Sequence, residues 1–200
     1  MTCEVMAQRR ATRRSVRILF LFSTDPVGQD AGATGAVARE RTRTAMPVPP
    51  IPPGYPRVVP YLAVDGAARA LAFYAEAFGA RERMRLDGPG GKVGHAEIEI
   101  GDGVVMLADA WPEGRFVAPS GEEVSVSLHL YVEDADAAFA RAVAAGATVV
   151  QPVETKFYGD RMGTVRDPFG HRWHLATHVE DVTEEEIARR MREMGGGGGG

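Results

Sequence analysis

Two stretches of this chain carry the same alternation of apolar and polar positions in the same order. Residues 58–65, Val-Val-Pro-Tyr-Leu-Ala-Val-Asp, have strand character and end in a turn. From Ala67 to Phe78 the period becomes helical: Leu71, Tyr74 and Phe78 share one face and Gly79 stops the run. Strands are predicted next at Arg81–Leu86, Val93–Ile100 and Val104–Asp109, separated by Gly88-Pro89-Gly90-Gly91 and Gly101-Asp102-Gly103. The pattern then starts again. Val124–Val132 predict a strand, and Ala135–Ala145 a helix carrying Phe139, Ala142 and Val143 and stopped by Gly146. Three strands follow at Thr148–Thr155, Gly163–Arg166 and Arg172–Thr177, with Asp167-Pro168-Phe169-Gly170 as the last tight turn. Gly79-Ala80 recurs as Gly146-Ala147, and Gly103 recurs at the same offset as Gly170. A βαβββ unit therefore occurs twice, as modules 58–110 and 124–178.

The flanks differ. Arg9, Arg10, Arg13, Arg14 and Arg17 precede a short apolar run, Ile18–Phe22, which falls far below the ~20 residues that span a bilayer and is short for a secretory signal. Prolines at 47, 49, 50, 52, 53 and 56 favour extended backbone and withhold helix donors. Residues 1–57 are expected to form a disordered basic and proline-rich segment, with Met46 a second candidate for the native start. Beyond 178, Thr183-Glu184-Glu185-Glu186 is a capping-box pattern, and Ile187, Met191 and Met194 recur at helical spacing. Residues 179–200 thus read as a short helix, its Met stripe packing on the body or a partner subunit, and a glycine tail.

Composition narrows the function classes. At 21.5 kDa, with 44% hydrophobic and 25% charged residues, the chain is globular and large enough for one ordinary domain. The net charge of −4 conceals an asymmetry: nine arginines against four acids in residues 1–57 leave the remainder strongly acidic. An acidic body is a poor match for phosphate backbones, so neither nucleic acid nor membrane is expected as a partner. The single cysteine, Cys3, forms no internal disulfide, which fits a cytoplasmic protein.

Strand alternation nominates a site. His95, Glu97 and Glu99 point away from Ala96, Ile98 and Ile100. Ser127, His129 and Tyr131 oppose Leu128, Leu130 and Val132. Arg172 and His174 oppose Trp173 and Leu175, and Tyr61 opposes Leu62 and Val64. Two sheets curling toward each other would gather Tyr61, His95, Glu97, Ser127, His129, Tyr131, Arg172 and His174 into one ligand-binding cleft. An open sheet shows the same alternation with its polar face merely solvated; three histidines among aromatics and an arginine favour the cleft. His171, in a turn, and His178, at a strand end, read as exposed or structural. Ser127 and His129, two apart on one strand, point the same way and lack an orienting acid, so they are not a triad.

The unit order resembles the vicinal oxygen chelate superfamily of glyoxalases, bleomycin-resistance proteins and extradiol dioxygenases over residues 58–178. The marks are Val64-Asp65, Phe73-Tyr74 and Phe78-Gly79; then Asp134-Ala135-Asp136-Ala137-Ala138 with Ala144-Ala145-Gly146-Ala147; then Asp167 through Trp173. Pro60-Tyr61-Leu62, His95-Ala96-Glu97-Ile98, Tyr158-Gly159-Asp160-Arg161 and Thr177-His178 suggest the PhnB-like subgroup. The resemblance implies an α+β fold in which two βαβββ modules form a curved, cleft-enclosing mixed sheet, with helices on the outer faces, in a homodimer. It also implies four metal-ligand positions, which fall at Val59, at Met106 or Leu107, at Ser127 and at His174. Only His174 is a strong donor. A displaced divalent-metal site would combine His129 and His174 with His95 and Glu97.

Three functions follow from the resemblance. The first is a metal-free protein that sequesters a drug or metabolite in the cleft, with Glu97 and Glu99 attracting a cationic or polyhydroxylated ligand. The alternative is a metal-dependent lyase, isomerase or dioxygenase in which His129 and His174 hold metal. Glu97 would then be the catalytic base, its pKa raised in a partly dry cleft. The third places function on the dimer surface or the terminal helix.

Overall fold

A computed structural model of the chain describes residues 48–195. The arginine-rich stretch, Met46 and the last glycines lie outside the described residues. The elements are β1 (Tyr61–Val64), α1 (Ala67–Phe78), β2 (Arg81–Asp87), β3 (Val93–Ile100), β4 (Gly103–Asp109), β5 (Ser127–Tyr131), α2 (Ala135–Ala144), β6 (Thr148–Thr155), β7 (Asp160–Arg166), β8 (Arg172–His178) and α3 (Glu184–Gly195). They build two four-stranded sheets, ordered β1-β4-β3-β2 and β5-β8-β7-β6. In each sheet the first strand pairs parallel with the last and the other pairings are antiparallel. The α+β fold of two βαβββ modules is thus the one the sequence pattern predicts.

Local chemistry sets the helix ends. Gly79 takes φ 67°, and the N–H groups of Gly79 and Ala80 reach back to Ala75 and Tyr74, a left-handed termination that glycine adopts without steric cost. The Asp134 side chain accepts the Ala137 N–H at 3.0 Å and caps α2. At the start of α1 the cap comes from another strand. Asp109, on β4, accepts from Gly66 and Ala67 and also from Val93. Burial pushes its pKa up, but the three backbone donors and nearby Lys92 outweigh that and hold the carboxyl below its ordinary value.

Three strand starts differ from the sequence expectation, one of them β5, which begins at Ser127 rather than 124. β1 begins at Tyr61 rather than 58, because proline at 60 has no N–H to give and offers only its carbonyl, to Met106. β7 begins three residues early, at Asp160, because Lys156 N–H closes a tight hairpin onto the Asp160 carbonyl.

The helices also sit differently from the arrangement the resemblance implied. They do not cover outer faces; they lie between the sheets. Tyr74 and Phe78 of α1 pack on Trp173 of β8, with ring centroids 5.5 and 4.7 Å apart. Apolar faces of both sheets and both helices merge into one core, including Ile98, Leu107, Ala138, Ala142, Val165 and Leu175. Asp167, 3% exposed, ties the modules together: its carboxylate accepts from Tyr74 Oη at 2.8 Å and Trp173 Nε1 at 3.0 Å. His171, read from the sequence as exposed or structural, is structural: its Nε2 donates to the Ala63 carbonyl of β1 at 3.1 Å.

The flanks hold further corrections. Residues 48–57, part of the segment expected to be disordered, follow a defined path, with a turn from Pro52 to Tyr55. On α3, Met191 and Met194 are exposed rather than packed on the body, which leaves the partner-subunit half of the expectation standing; Arg190 fastens the helix to Glu180 and to the Phe157 carbonyl. No helix among the described residues is long and apolar enough to cross a membrane.

Candidate functional site

Helices between the sheets leave the two polar faces on opposite sides of the core, so the nominated residues fall into two groups. Among the described residues no hydrogen bond, ion pair or ring contact joins Tyr61, His95 or Glu97 to Ser127, His129, Tyr131, Arg172 or His174. The single shared cleft of the sequence reading is not closed within one chain.

The first group is tightly sealed. Glu97 is 4% exposed and His95 7%. Tyr55, from the proline-rich segment, donates its hydroxyl to Glu97 Oε2 at 2.6 Å. His95 Nε2 lies 3.3 Å from Glu97 Oε1 and its Nδ1 2.9 Å from Tyr61 Oη. With Nε2–H given to the carboxylate, Nδ1 accepts from the Tyr61 hydroxyl. Burial, then the charge of Glu97, pushes the Tyr61 phenol up, and burial with the Glu97 bond does the same to Tyr55, so both keep their donor protons. Arg83 lies 4.6 Å over the Tyr55 ring and pairs with Glu99 at 3.1 Å; Arg81 also pairs with Glu99. Both acids expected to attract a cation are therefore already partnered.

The second group is more open. His129 lies beside His174 across the parallel β5–β8 pair, with ring centroids 5.9 Å apart. Thr164 Oγ1 donates to Gln151 Oε1 at 3.4 Å and stands 2.9 Å from His174 Nδ1. The imidazole thus gives Nδ1–H to Thr164 and takes the Ser127 hydroxyl on Nε2, 3.1 Å away. Burial, followed by the neighbouring His129, Arg172 and Lys156, lowers the His174 pKa from its ordinary value and favours the neutral imidazole. Next to it, Tyr131 donates to Asp160 at 2.9 Å, and His178 bridges Asp160 and Asp181, each at 2.9 Å. The Asp181 and Asp160 bonds raise the His178 pKa. Alternation along β7 could have flagged Thr164 and Asp160; Gln151 and Asp181 had no sequence signal, being placed by a bulge in β6 and by the chain after β8.

A cavity of about 870 Å³ opens between β1 and β5. Of the nominated residues, Tyr61, Ser127 and His129 line it, beside Phe116, Val117 and Val126 from the β4–β5 connection. His95 and Glu97 lie behind Tyr61, and Tyr131, Arg172 and His174 are not in its walls.

The donor set does not suit a divalent metal. The implied ligand positions hold Val59, Met106 and Ser127 ahead of His174. Within one chain the displaced alternative is not assembled: His129 and His174 are on one sheet, His95 and Glu97 on the other, and both nitrogens of His174 and of His95 are engaged in hydrogen bonds. Among the described residues no three His, Cys, Asp or Glu side chains cluster closely enough to hold an ion.

Paired βαβββ modules, a polar sheet face and a cavity at the β1–β5 seam define a class. Residues 55–175 match the Glyoxalase/Bleomycin resistance protein/Dioxygenase superfamily, and the chain belongs to it. It is 44% identical over 146 residues to the uncharacterized protein Mb0911c of Mycobacterium bovis, covering 71% of this chain and 96% of that one. Among solved structures it is similar to TioX from Micromonospora sp. ML1, with 34% identity, a TM-score of 0.50 and coverage of 61% and 98%. The Arabidopsis thaliana At5g48480 product is similar at 30% identity and a TM-score of 0.52, with the same coverage.

Proposed function

We propose that this chain is a metal-free small-molecule-binding protein of the glyoxalase/bleomycin resistance type, PhnB-like in its motifs, which sequesters a drug or metabolite in the cytoplasm. The cavity of about 870 Å³ between β1 and β5 carries the proposal, because apolar walls with a few convergent polar groups are what an organic ligand needs. The reading is also supported by the donor chemistry, since both nitrogens of His95 and of His174 are committed to hydrogen bonds and, among the described residues, no three ligand-type side chains gather around one point.

The working unit is a homodimer. Val58, Val117 and Val126 are large, exposed and line the cavity, at 82%, 61% and 74% exposure. A second copy would cover them and bring one chain's first polar face opposite the other's second. Light scattering on the purified chain should give twice the monomer mass. A thermal-shift screen of aromatic cations, carboxylates, phosphonates and dicarbonyls should raise the melting temperature by mass action for at least one class. Failure of all classes, with a monomer in solution, overturns the proposal.

A further inference from the structure

In the β7–β8 ladder Arg166 stands directly opposite Arg172, a like-charge pair, and across the parallel β5–β8 pair Ser127 stands beside Arg172. All three lie on the polar face, because Val165 and Trp173, one step along their strands, are in the core. Two cations facing each other across a ladder destabilise a sheet unless an anion lies between them.

No protein anion does. Among the described residues neither arginine has an ion pair, as is also true of Arg57, Arg69, Arg115, Arg141 and Arg192, but only these two face each other across a ladder. Arg166 Nη1 donates to the Gly121 carbonyl at 3.0 Å and Arg172 Nη2 to the Glu122 carbonyl at 3.2 Å. These bonds hold both guanidinium groups against the loop before β5 without cancelling their charge. Arg172 Nε is shut off from solvent and has no partner at all. A buried donor left unmade is costly, and a charged one more so. The surroundings repeat the sign, since Arg172 and Lys156 both lower the His174 pKa, although Lys156 itself pairs with Glu154.

We infer that Arg166 and Arg172, beside Ser127, form a subsite for an oxyanion, the carboxylate or phosphonate end of the sequestered ligand. This rests on the small-molecule reading above and reverses the charge expected from the sequence. The acids of the first face, Glu97 and Glu99, are satisfied by Tyr55, His95, Arg81 and Arg83; the arginines of the second are not. A planar guanidinium matches a planar or tetrahedral oxyanion, and a second arginine supplies the balancing charge. Ser127 lines the cavity, so the subsite opens on its rim. The anionic end would sit at the arginines while the apolar body lies against Val126 and Phe116.

The test is calorimetric titration of the full chain, at low salt, with phenylphosphonate, benzoate, inorganic phosphate and benzyltrimethylammonium. Phenylphosphonate or benzoate should bind, and their ranking assigns the oxyanion as tetrahedral or planar. Arg172→Gln and Arg166→Gln should each weaken binding at least tenfold, Arg172→Lys less than that, and Arg69→Gln on α1 not at all. The unliganded Arg172→Gln chain should melt no lower than wild type, since a like-charge pair and an orphan donor are relieved; a merely structural arginine would show the opposite. If only benzyltrimethylammonium binds, the subsite is refuted while small-molecule binding stands. If oxyanions bind but ignore both arginines, or the variants break the dimer and leave oxyanion affinity unchanged, the arginines serve another purpose and the inference falls. Should Arg172→Gln fail to fold, Arg172→Lys and Arg166→Gln carry the same comparison.

Discussion

Replacing Asp167 by alanine would remove one carboxylate and strand four donors. Oδ1 accepts the backbone N–H groups of Phe169 and His171 at 2.9 and 2.8 Å, and Oδ2 accepts Tyr74 Oη at 2.8 Å and Trp173 Nε1 at 3.0 Å. Tyr74 is fully buried and Trp173 is 2% exposed, so water cannot replace the lost acceptor there. An unsatisfied buried donor costs about 1–3 kcal/mol and a bond to a charged acceptor contributes about 1.5–3 kcal/mol. With the His171 N–H discounted as only part-buried, three stranded donors add to about 4–6 kcal/mol. That is a large share of the roughly 5–15 kcal/mol that keeps a domain folded. Tyr74→Phe removes a single bond and leaves the carboxylate three others, for a loss of about 1.5 kcal/mol. The measurement is a double-mutant cycle by urea denaturation. The double variant should be more stable than the sum of the two losses predicts, because a phenylalanine ring at position 74 has no hydroxyl to strand. Additivity within about 0.5 kcal/mol, or an Asp167→Ala loss below about 1 kcal/mol, would refute the claim that this carboxylate couples the two modules.

Two further outcomes are expected. His178 is raised above its ordinary 6.5 by Asp181 and Asp160, so its contribution is present below that pH and is lost as pH rises through the raised value. Melting temperature should fall over that interval, less at high salt because the imidazole is 54% exposed, and His178→Gln should flatten the slope. Gly159 has φ 99°, and a Cβ there would collide with the Glu180 carbonyl oxygen, while its own carbonyl accepts from Val179 and Glu180. Gly159→Ala should cost at least about 2 kcal/mol and expose residues 179–183 to limited proteolysis before the core opens.

The repeated βαβββ order was legible because it depends on local signals: period 2 against period 3.6, and glycine at each helix stop. Both helices were expected within one residue of where they lie. Alternation also placed every nominated side chain on a polar face. Whether the two faces meet was not legible, because that depends on how α1 packs, and Tyr74 reads the same whether its face covers its own sheet or also reaches Trp173. The seal over Glu97 was hidden for another reason. Tyr55 sits in a proline-rich stretch without periodicity, and only tertiary contact shows that its hydroxyl ends on a carboxylate forty-two residues away.

Pairing register exposes how far the two modules have diverged on one backbone plan. The row Tyr61, Met106, Glu97 in the first sheet corresponds to His129, His174, Thr164 in the second. In the first row an acid is saturated by hydroxyl and imidazole donors. In the second a neutral imidazole is held among cations. A duplicated fold therefore presents two chemically opposite walls from one chain, back to back across the shared core. Two copies exchanging walls would build clefts that are asymmetric in charge, each with a closed acidic side and an open basic side. Such a cleft orients a ligand rather than merely enclosing it, because its anionic end has only one wall on which to settle.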